Sequence, residues 1–417
     1  MKKTLILGAL CALSASAAHA VPWDVLGPRA MGMGGAQVAV AQGPLAAYWN
    51  PAGLGQMHNS AGLEAVGGAR YEFTGSVLEG ANDIHQLKKD CDASLTNCTT
   101  DRITAALSRL GQAGNGAMFD WGAGGALKIK KVVVFTNNLG YVGATPQVDL
   151  ANNTAGTIAN NASKLILRGG HFTEIGLGYA HEIKETGLIV GGNLKGIIGK
   201  IGYYALPIVT EDPANGALTK FSNGSKTSFQ PGVDLGVLWD IRETVNLPMR
   251  PKLGLVARNI NCPTFSQPDT AKAAGERSRY PLHSQVRAGA AISPFKFWHL
   301  AADMDLTENL TPIDGYKSRY MSLGTEVNIF NSSWINIPLR AGLQKNLSSA
   351  GSGLAYTGGF GLNFLHVMVD IGAQVSAKQT TLQSEGKSTK VPSNLALAGR
   401  VAFLFGGQDE GARDKKD

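Results

Sequence analysis

Apolar and polar residues alternate with a period of two along much of this chain. In His366–Val375, apolar residues stand at every odd position, while the even positions include Asp370 and Gln374. The same period returns in Trp334–Gln344 and in His299–Leu306. A helix would repeat its apolar positions every 3.6 residues, so this pattern predicts β-strands.

Segments of this kind recur often enough to define a fold class. Fourteen are predicted as strands: Ala61–Phe73, Gly116–Ile129, Lys131–Ala144, Lys164–Glu182, Glu185–Tyr204, Lys226–Ile241, Pro248–Ile260, Tyr280–Pro294, Phe297–Leu306, Tyr316–Phe330, Ser333–Leu347, Gly353–Phe364, His366–Thr380 and Ser393–Gly406. They have the length of about 9 to 11 residues or more that a tilted strand needs to cross a bilayer. Their even number suits a single-chain bacterial barrel. We therefore expect an all-β protein, a transmembrane antiparallel β-barrel of about 14 strands.

The two faces of these strands differ in charge. One face is apolar and almost uncharged, whereas the other carries charges of both signs together with many glycines. A charge facing lipid at the midplane of the membrane costs about 2–4 kcal/mol, so the charged face is expected to line the lumen. The predicted lumen-facing charges are Asp234, Asp240, Arg258, Arg287, Asp303, Asp305, Glu326, Arg340, Asp370 and Arg400. Strand length and charge together favour a barrel over a soluble sandwich with one hydrated face.

The connections between the predicted strands alternate roughly between short and long. The long ones are Thr74–Asn115, Thr145–Ser163, Ala205–Ser225 and Asn261–Arg279. Long loops of bacterial barrels usually face the outside, and short turns face the periplasm. Within the first long connection, Thr100–Gly111 predicts a helix that Thr100 or Asp101 can cap. Its apolar face consists of Ile103, Leu107 and Leu110. Residues 76–115 are therefore predicted to form a partly helical extracellular insertion.

The N-terminus has the pattern of a secretory signal peptide. Lys2 and Lys3 precede an apolar stretch, Thr4–Ala18, and Ala18-His19-Ala20 fits the rule for cleavage after a small residue. We therefore expect a signal peptide at residues 1–20 and export to the bacterial outer membrane. Cys11 follows Leu10 inside the apolar stretch, which disfavours a lipoprotein. The barrel is expected over residues 61–406, followed by a charged C-terminal tail at 407–417.

Composition and cysteine usage narrow the function classes. The formal charge is +7, but no basic block is concentrated in one segment, so nucleic-acid binding is not expected. Cys91 and Cys98 are separated by six residues in a polar stretch, which in an oxidising compartment predicts either a local disulfide or two unpaired thiols. Cys262 has no evident partner. No metal site is expected, because the nearest histidine, His85, shares no ligand spacing with these cysteines.

The segment before the first strand predicts a plug. Pro28–Leu54 is rich in glycine and alanine and lacks sustained alternation. Asn50-Pro51-Ala52 is a favourable helix start, with asparagine as cap and proline at the first helical position. Small residues allow a backbone to pack closely against a wall. We therefore expect residues 21–60 to lie inside the barrel.

This segment resembles the N-terminal hatch of the FadL-like family of transporters for long-chain fatty acids and hydrocarbons. The matching hatch residues are Gly34, Gly35 and Ala36, followed by Asn50, Pro51, Ala52, Gly53 and Leu54. From about Gly254 onward the chain looks closer to a related branch labelled TraF-type conjugal transfer proteins. That second resemblance rests on Gly254–Asn259, Gln285–Gly289, Leu300–Thr307 and Pro338–Gly342.

The resemblance implies a plugged barrel that takes up hydrophobic molecules passively, with Asn50 at the hydrogen-bonded core of the hatch. The expected partners are outer-membrane lipids, a hydrophobic small-molecule ligand and the barrel-assembly machinery, with envelope secretion components as a further candidate. Two features depart from the fatty-acid transporters. Phe405 is followed by twelve further residues, whereas outer-membrane barrels often end on an aromatic residue. The insertion at 76–115 does not match their ligand-capturing region.

Enzymatic activity is not expected, and no catalytic residue or cofactor is predicted. The chain has no Gly-x-Ser-x-Gly element. Gly386-Lys387-Ser388 copies the end of a phosphate-binding loop, but Thr381 stands where the first glycine belongs. Three hypotheses remain: a channel for hydrophobic compounds, a structural or assembly component of an envelope conjugation or secretion system, and an open polar porin.

Overall fold

A computed structural model describes most of the chain. The described residues are 18–19, 23, 26–56, 60–97, 99–154, 156–157, 160–208, 216–245, 247–332, 334–349, 351–384 and 387–406. The predicted signal peptide, apart from Ala18–His19, and the predicted tail at 407–417 lie outside these residues.

Fourteen antiparallel strands of the described chain close into one barrel. They are β1 (Ala61–Thr74), β2 (Gly116–Ile129), β3 (Val132–Gln147), β4 (Lys164–Ile183), β5 (Leu188–Pro207), β6 (Lys226–Asp240), β7 (Lys252–Arg258), β8 (Gln285–Phe295), β9 (Trp298–Asp305), β10 (Tyr320–Asn331), β11 (Ile335–Asn346), β12 (Ala355–Phe364), β13 (Val367–Ser376) and β14 (Asn394–Phe405). Each strand pairs with the next in the chain, and β14 pairs with β1, from Ala61 opposite Phe405 to Glu72 opposite Asn394. The predicted fold class and strand number are confirmed.

The strand ends differ from the prediction where the chain leaves the wall. Alternation predicted a strand over Pro248–Ile260, but β7 ends at Arg258, and Asn259 adopts a left-handed φ of 51° that turns the chain away. Likewise, the strand predicted over His366–Thr380 ends at Ser376, and its last two residues belong to a separate hairpin, in which Gln379–Ser384 pairs with Lys387–Pro392. The period of two continues through both regions because they too contain extended backbone, so alternation alone cannot separate wall from loop.

The helices of the described chain are short and lie in the connections and before β1. They are α1 (Pro28–Gly32), α2 (Ala46–Trp49), α3 (Val77–Ala93), α4 (Thr100–Leu110), α5 (Ala217–Asn223) and α6 (Asp269–Ala273), with 3-10 turns at Pro51–Gly55, Leu95–Asn97 and Ile241–Glu243. Among the described residues, no helix has the length and hydrophobicity needed to cross a bilayer.

Short strands complete the connections. Thr264–Ser266 pairs with Arg279–Pro281, and Asn309–Leu310 pairs with both Lys317–Ser318 and Ala18–His19.

The outer surface of the barrel is apolar. Leu194 is 69% exposed, Phe229 63% and Leu177 59%, and all three point away from the lumen. Aromatic pairs mark both edges of this surface: Phe295 with Phe297 and Trp334 with Phe364 near the short turns, and Phe119 with Trp121 near the long loops. An apolar belt between aromatic rims is typical of a barrel that spans a membrane.

The insertion between β1 and β2 is helical over most of its length. The apolar face of α4 is buried as predicted, but its N-cap is Thr99, without a side-chain hydrogen bond, so the predicted capping by Thr100 or Asp101 is wrong. Helix α3 was not predicted. It attaches to the neighbouring hairpin through Glu79, which accepts a hydrogen bond from the Thr380 hydroxyl at 2.9 Å.

The cysteines bear on the predicted disulfide. Cys91 is disulfide-bonded, but Cys98 lies outside the described residues, so their pairing stays a prediction. Cys262 is also disulfide-bonded, although the sequence showed no evident partner for it.

Candidate functional site

Residues 26–56, which we call the lumen segment, run through the inside of the barrel. Their side chains are nearly all buried, with Leu26, Met33 and Leu54 fully so. The segment also contacts opposite walls: Gly55 lies against Ile189 of β5, and Gly34 lies against Leu343 of β11. The lumen segment therefore fills the waist of the barrel.

The wall makes room for the lumen segment with glycines. Their α-carbons face the segment on eight strands, at Gly191, Gly236, Gly254, Gly289, Gly324, Gly342, Gly359 and Gly372. A Cβ on Gly324 would overlap the carbonyl oxygen of Met33, and one on Gly254 would lie 2.8 Å from that of Val38. The backbone of the segment thus rests directly on the strands, a contact that any larger wall residue would prevent.

Asn50 links separate parts of the lumen segment through hydrogen bonds of its side chain. Its side-chain nitrogen donates to the carbonyl oxygens of Val38 at 3.0 Å and of Val237 on β6 at 3.1 Å. Its oxygen accepts from the Ala52 N–H at 3.1 Å and caps the 3-10 turn that begins at Pro51. Asn50 is fully buried. One side chain therefore links two parts of the segment to each other and to the wall.

The other residues of the FadL-like motif pack tightly in the same segment. Gly34 and Gly35 adopt left-handed φ angles of 71° and 92°. Ala36, Ala52 and Leu54 are fully buried. A Cβ on Gly53 would overlap the Ala41 carbonyl group. Glycine is required at these turns because of their conformation or the close approach of backbone.

A chain of alternating charges lies on the wall beside the lumen segment. It begins in the segment and passes along the wall in the order Arg29, Glu326, Arg340, Asp370, Arg400 and Glu64. The joining distances between nitrogen and oxygen run from 2.5 to 3.1 Å. At the far end, Glu64 accepts the Leu45 N–H at 3.2 Å, which returns the chain to the segment.

Two smaller clusters hold the opposite side. Lys195 lies 2.9 Å from Glu174 and 3.1 Å from Asp234. Arg287 lies 2.6 Å from Asp305. Beside that pair, the Asp303 carboxylate accepts the N–H groups of Gln37 and Val38, at 2.7 and 2.8 Å.

The predicted lumen charges fall into these clusters. Asp234, Arg258, Arg287, Asp303, Asp305, Glu326, Arg340 and Asp370 are buried inside the barrel, and the Arg400 side chain is 10% exposed. Asp240 lies nearer the rim, 3.3 Å from Lys252.

Sequence reasoning missed other buried charges on the inner wall: Glu64, Arg70, Glu72, Asp120, Lys128, Glu174 and Lys195. The same alternation could have found them, because they occupy inward positions of predicted strands. Nothing in the local sequence pairs Arg29 with Glu326.

An apolar core runs through the lumen from one end to the other. One continuous cluster joins Phe265, Tyr280 and Leu282 in the long connection between β7 and β8 to the wall and to the lumen segment. Its wall members include Tyr141, Phe172 and Ile197, and its members from the lumen segment include Leu26, Trp49 and Leu54. Trp23, which precedes the segment, also belongs to this cluster. The guanidinium of Arg258 lies over the rings of Trp23 and Tyr48, at 4.8 and 4.4 Å from their centroids. Charged residues thus border this core through their contact with aromatic faces.

Two small cavities lie inside the described barrel. One has a volume of about 30 Å³ and is lined by polar residues, including Glu72, Tyr316 and Gln344. A second, of about 10 Å³, lies between Leu45 and Phe135. Such volumes hold one or two water molecules. The buried lumen segment, packed closely against the wall, does not fit an open polar porin.

Comparisons with known proteins agree with this arrangement. A family model described as "F plasmid transfer operon, TraF, protein" matches residues 47–305, more than half of the chain. A search of curated proteins finds no match.

Solved structures are similar in fold. The toluene transporter TbuX of Ralstonia pickettii is 12% identical, with a TM-score of 0.52, covering 92% of this chain and 99% of that one. The toluene transporter TodX of P. putida is 11% identical, with a TM-score of 0.50, over 93% and 100%. A deltaS2 mutant of the TodX monoaromatic hydrocarbon channel is 11% identical, with a TM-score of 0.53, over 91% and 99%.

These structures are described as transporters and channels rather than as enzymes, and at such identities the likeness shows the fold. The family match and the fold lead to one assignment. This chain belongs to the family described as "F plasmid transfer operon, TraF, protein", and it shares its barrel fold with these transporters.

Proposed function

We propose that this protein is an outer-membrane channel for the passive uptake of hydrophobic small molecules, such as long-chain fatty acids or hydrocarbons. The lumen segment acts as its hatch, the long loops face the outside, and the short turns face the periplasm. Its surroundings are outer-membrane lipids, to which the apolar belt is matched, and the barrel-assembly machinery inserts it.

The continuous apolar core carries this proposal. Phe265 and Leu282 stand at the long-loop end, and Leu54 stands near the short turns, with apolar side chains connecting them. A hydrophobic molecule that follows this core stays in contact with apolar groups along its path, so it is transferred without entering water. A polar solute would instead have to displace the same apolar side chains without making favourable contacts with them.

Opening requires the lumen segment to move, which disturbs few of the ion pairs within the wall. Arg29 is the only charged residue in the segment. The wall charges Arg340, Asp370, Arg400 and Glu64 pair mainly with one another. A shift of the segment therefore leaves most buried wall charges with their partners, whereas an unpaired buried charge would be strongly unfavourable.

The experiment uses cells whose outer membrane lacks other hydrophobic channels, because small hydrophobic molecules cross simple phospholipid bilayers unaided. Expression of this protein is expected to increase the uptake of labelled oleate or toluene. Solvent extraction of the purified barrel, followed by mass spectrometry, is expected to reveal a bound hydrophobe. The absence of both uptake and a bound hydrophobe would overturn the proposal.

A reversible lock provides the matched control. Ala39 in the segment and Ala291 on β8 belong to one small buried cluster. Cysteines at both positions are expected to cross-link the segment to the wall and block uptake until a reductant is added. Wild-type protein with reductant controls for reduction of the native disulfides.

The second candidate is a structural or assembly component of a conjugation or secretion system in the envelope. The filled lumen and the family description favour it. It predicts stable co-purification with other envelope proteins and no change in uptake when the segment is cross-linked.

A further inference from the structure

The connection between β7 and β8, residues 259–284, folds over the long-loop end of the barrel, and we call it the lid. Its short strands pair Phe265 with Tyr280, and both side chains point into the apolar core. Ala271 in α6 packs against Ile166 and Tyr203 of the wall. The lid is thus part of the closed lumen rather than an outward loop.

The ring of Phe265 occupies a site built into the wall. It is fully buried and meets Phe172 of β4 edge to face, with centroids 5.3 Å apart. On β5, a Cβ on Gly199 would overlap this ring. Tyr280 and Tyr141, whose hydroxyl groups are hydrogen-bonded to each other, close the site. The wall therefore holds a recess for one aromatic ring, filled by a side chain from the lid.

One arginine fastens the lid. Arg168 of β4 places Nε 2.8 Å and Nη2 2.6 Å from Oε1 of Glu276 in the lid. Its Nη1 donates at 2.7 Å to Asp314, in the neighbouring connection between β9 and β10. The Arg168 side chain is 20% exposed and the Asp314 side chain 67%, so water can compete for these contacts. Such a latch can open without leaving a buried charge unpaired.

We propose that the recess filled by Phe265 is a binding site for a single-ring aromatic molecule, which displaces Phe265 when the Arg168 latch opens. This inference rests on the proposed function and deepens it by naming a site and a substrate class. A planar ring is the shape that this recess accepts, and Phe172 of the wall offers it the same edge-to-face contact that Phe265 makes. Phe265 is thus a substitute for the ligand, held in place until the ligand arrives.

The first test labels the substituting ring itself. 4-Fluorophenylalanine at position 265 in the full-length purified barrel gives a fluorine resonance that is expected to shift saturably with added toluene. The same label at Phe229, which is 63% exposed on the lipid side, is the matched control. It is expected to change only in proportion to toluene dissolved in the detergent. Linear octane at equal free concentration is expected to leave the resonance at 265 in place.

The second test changes the latch and the recess separately. Arg168→Gln is expected to lower the toluene concentration for the half-maximal shift by about tenfold, because less of the ligand's binding energy is used in opening the lid. Gly199→Val fills the recess and is expected to abolish the saturable response. Gly202→Val on the same strand, where a Cβ would meet Phe221 of α5 instead, is the control for a general effect on β5.

The outcomes separate this inference from the function on which it depends. Uptake of toluene without a shift of the resonance at position 265 would overturn the proposed aromatic site but leave the proposed channel function intact. Displacement by octane as effective as by toluene would overturn the ring selectivity. Absence of both uptake and movement would overturn both proposals.

Discussion

Arg29 of the lumen segment and Glu326 of β10 form a two-point ion pair, with Nε 2.8 Å from Oε2 and Nη2 3.0 Å from Oε1. The two residues are 297 positions apart in the chain. In the described chain, this is the ion pair that joins the lumen segment to the wall. We therefore expect this pair to help retain the segment in the lumen.

Replacing Arg29 tests this expectation. Removing one partner of a buried pair costs about 3–5 kcal/mol, reduced here because Arg340 still neutralises Glu326. Arg29→Ala is expected to let the segment leave the lumen part of the time, seen as a higher ion conductance in planar bilayers and faster proteolysis of the segment. Arg29→Lys should fall between this variant and wild type. Arg102→Ala, which breaks a half-exposed pair in the insertion, should change neither.

The wall glycines predict a steric way to displace the segment. Gly324→Val places a side chain where the Met33 carbonyl lies, so we expect higher conductance with the barrel still folded and heat-modifiable on gels. Gly358→Val on β12 is the control, because a Cβ there meets only the Arg340 carbonyl oxygen at 3.9 Å. Equal behaviour of the two variants would contradict close packing of the segment on the wall.

Asn50 predicts a loss of local stability. Asn50→Ala removes three hydrogen bonds at about 1 kcal/mol each, so amide hydrogens of the lumen segment should exchange faster by about two orders of magnitude. Asn50→Asp should be worse, because a carboxylate would face the carbonyl oxygens of Val38 and Val237. Asn97→Ala, in the exposed insertion, serves as the control. Unchanged exchange in Asn50→Ala would exclude the organising role of this side chain.

The loop between β3 and β4 predicts a pH effect outside the membrane-spanning strands. The N–H of Ala162, with the Asn152 side chain, lowers the pKa of Asp149 to about 2. Because its pKa is lowered, the Asp149 carboxylate stabilises the loop at pH values above 3.8, the ordinary pKa of this group. This stabilisation is lost as the pH falls toward 2. We expect hydrogen exchange in residues 149–163 to stay slow at pH 4 and to rise near pH 2. Asp149→Asn should remove this dependence.

Much of the barrel could be predicted from the sequence, because inward and outward residues alternate strictly in a wall with lipid on one side. The alternation around Asp370 and Arg340 placed both side chains in the lumen. It could not show that Arg340 bridges Asp370 and Glu326, since that depends on the register of neighbouring strands.

The contents of the lumen were harder to predict than the wall. Asn50 was predicted as a cap from its neighbour Pro51, a local signal. The hydrogen bond from Asn50 to Val237 and the packing of Phe265 against Gly199 both join residues that are distant in the chain. No local sequence pattern records such contacts. Helix α3 was missed because its residues are mostly polar and half exposed, so they leave a weak periodic signal.

The glycine recesses for the lumen segment also constrain the order of assembly. The segment is synthesised before every strand on which it rests, and the last of these recesses, Gly372, belongs to the strand before β14. Contacts across such distances form late, because the entropy of a long loop must first be overcome. The chain directly after the segment becomes β1, which forms the seam with β14. The seam must therefore close when the lumen segment is already inside the barrel. A barrel whose seam closed earlier would leave the lumen segment outside.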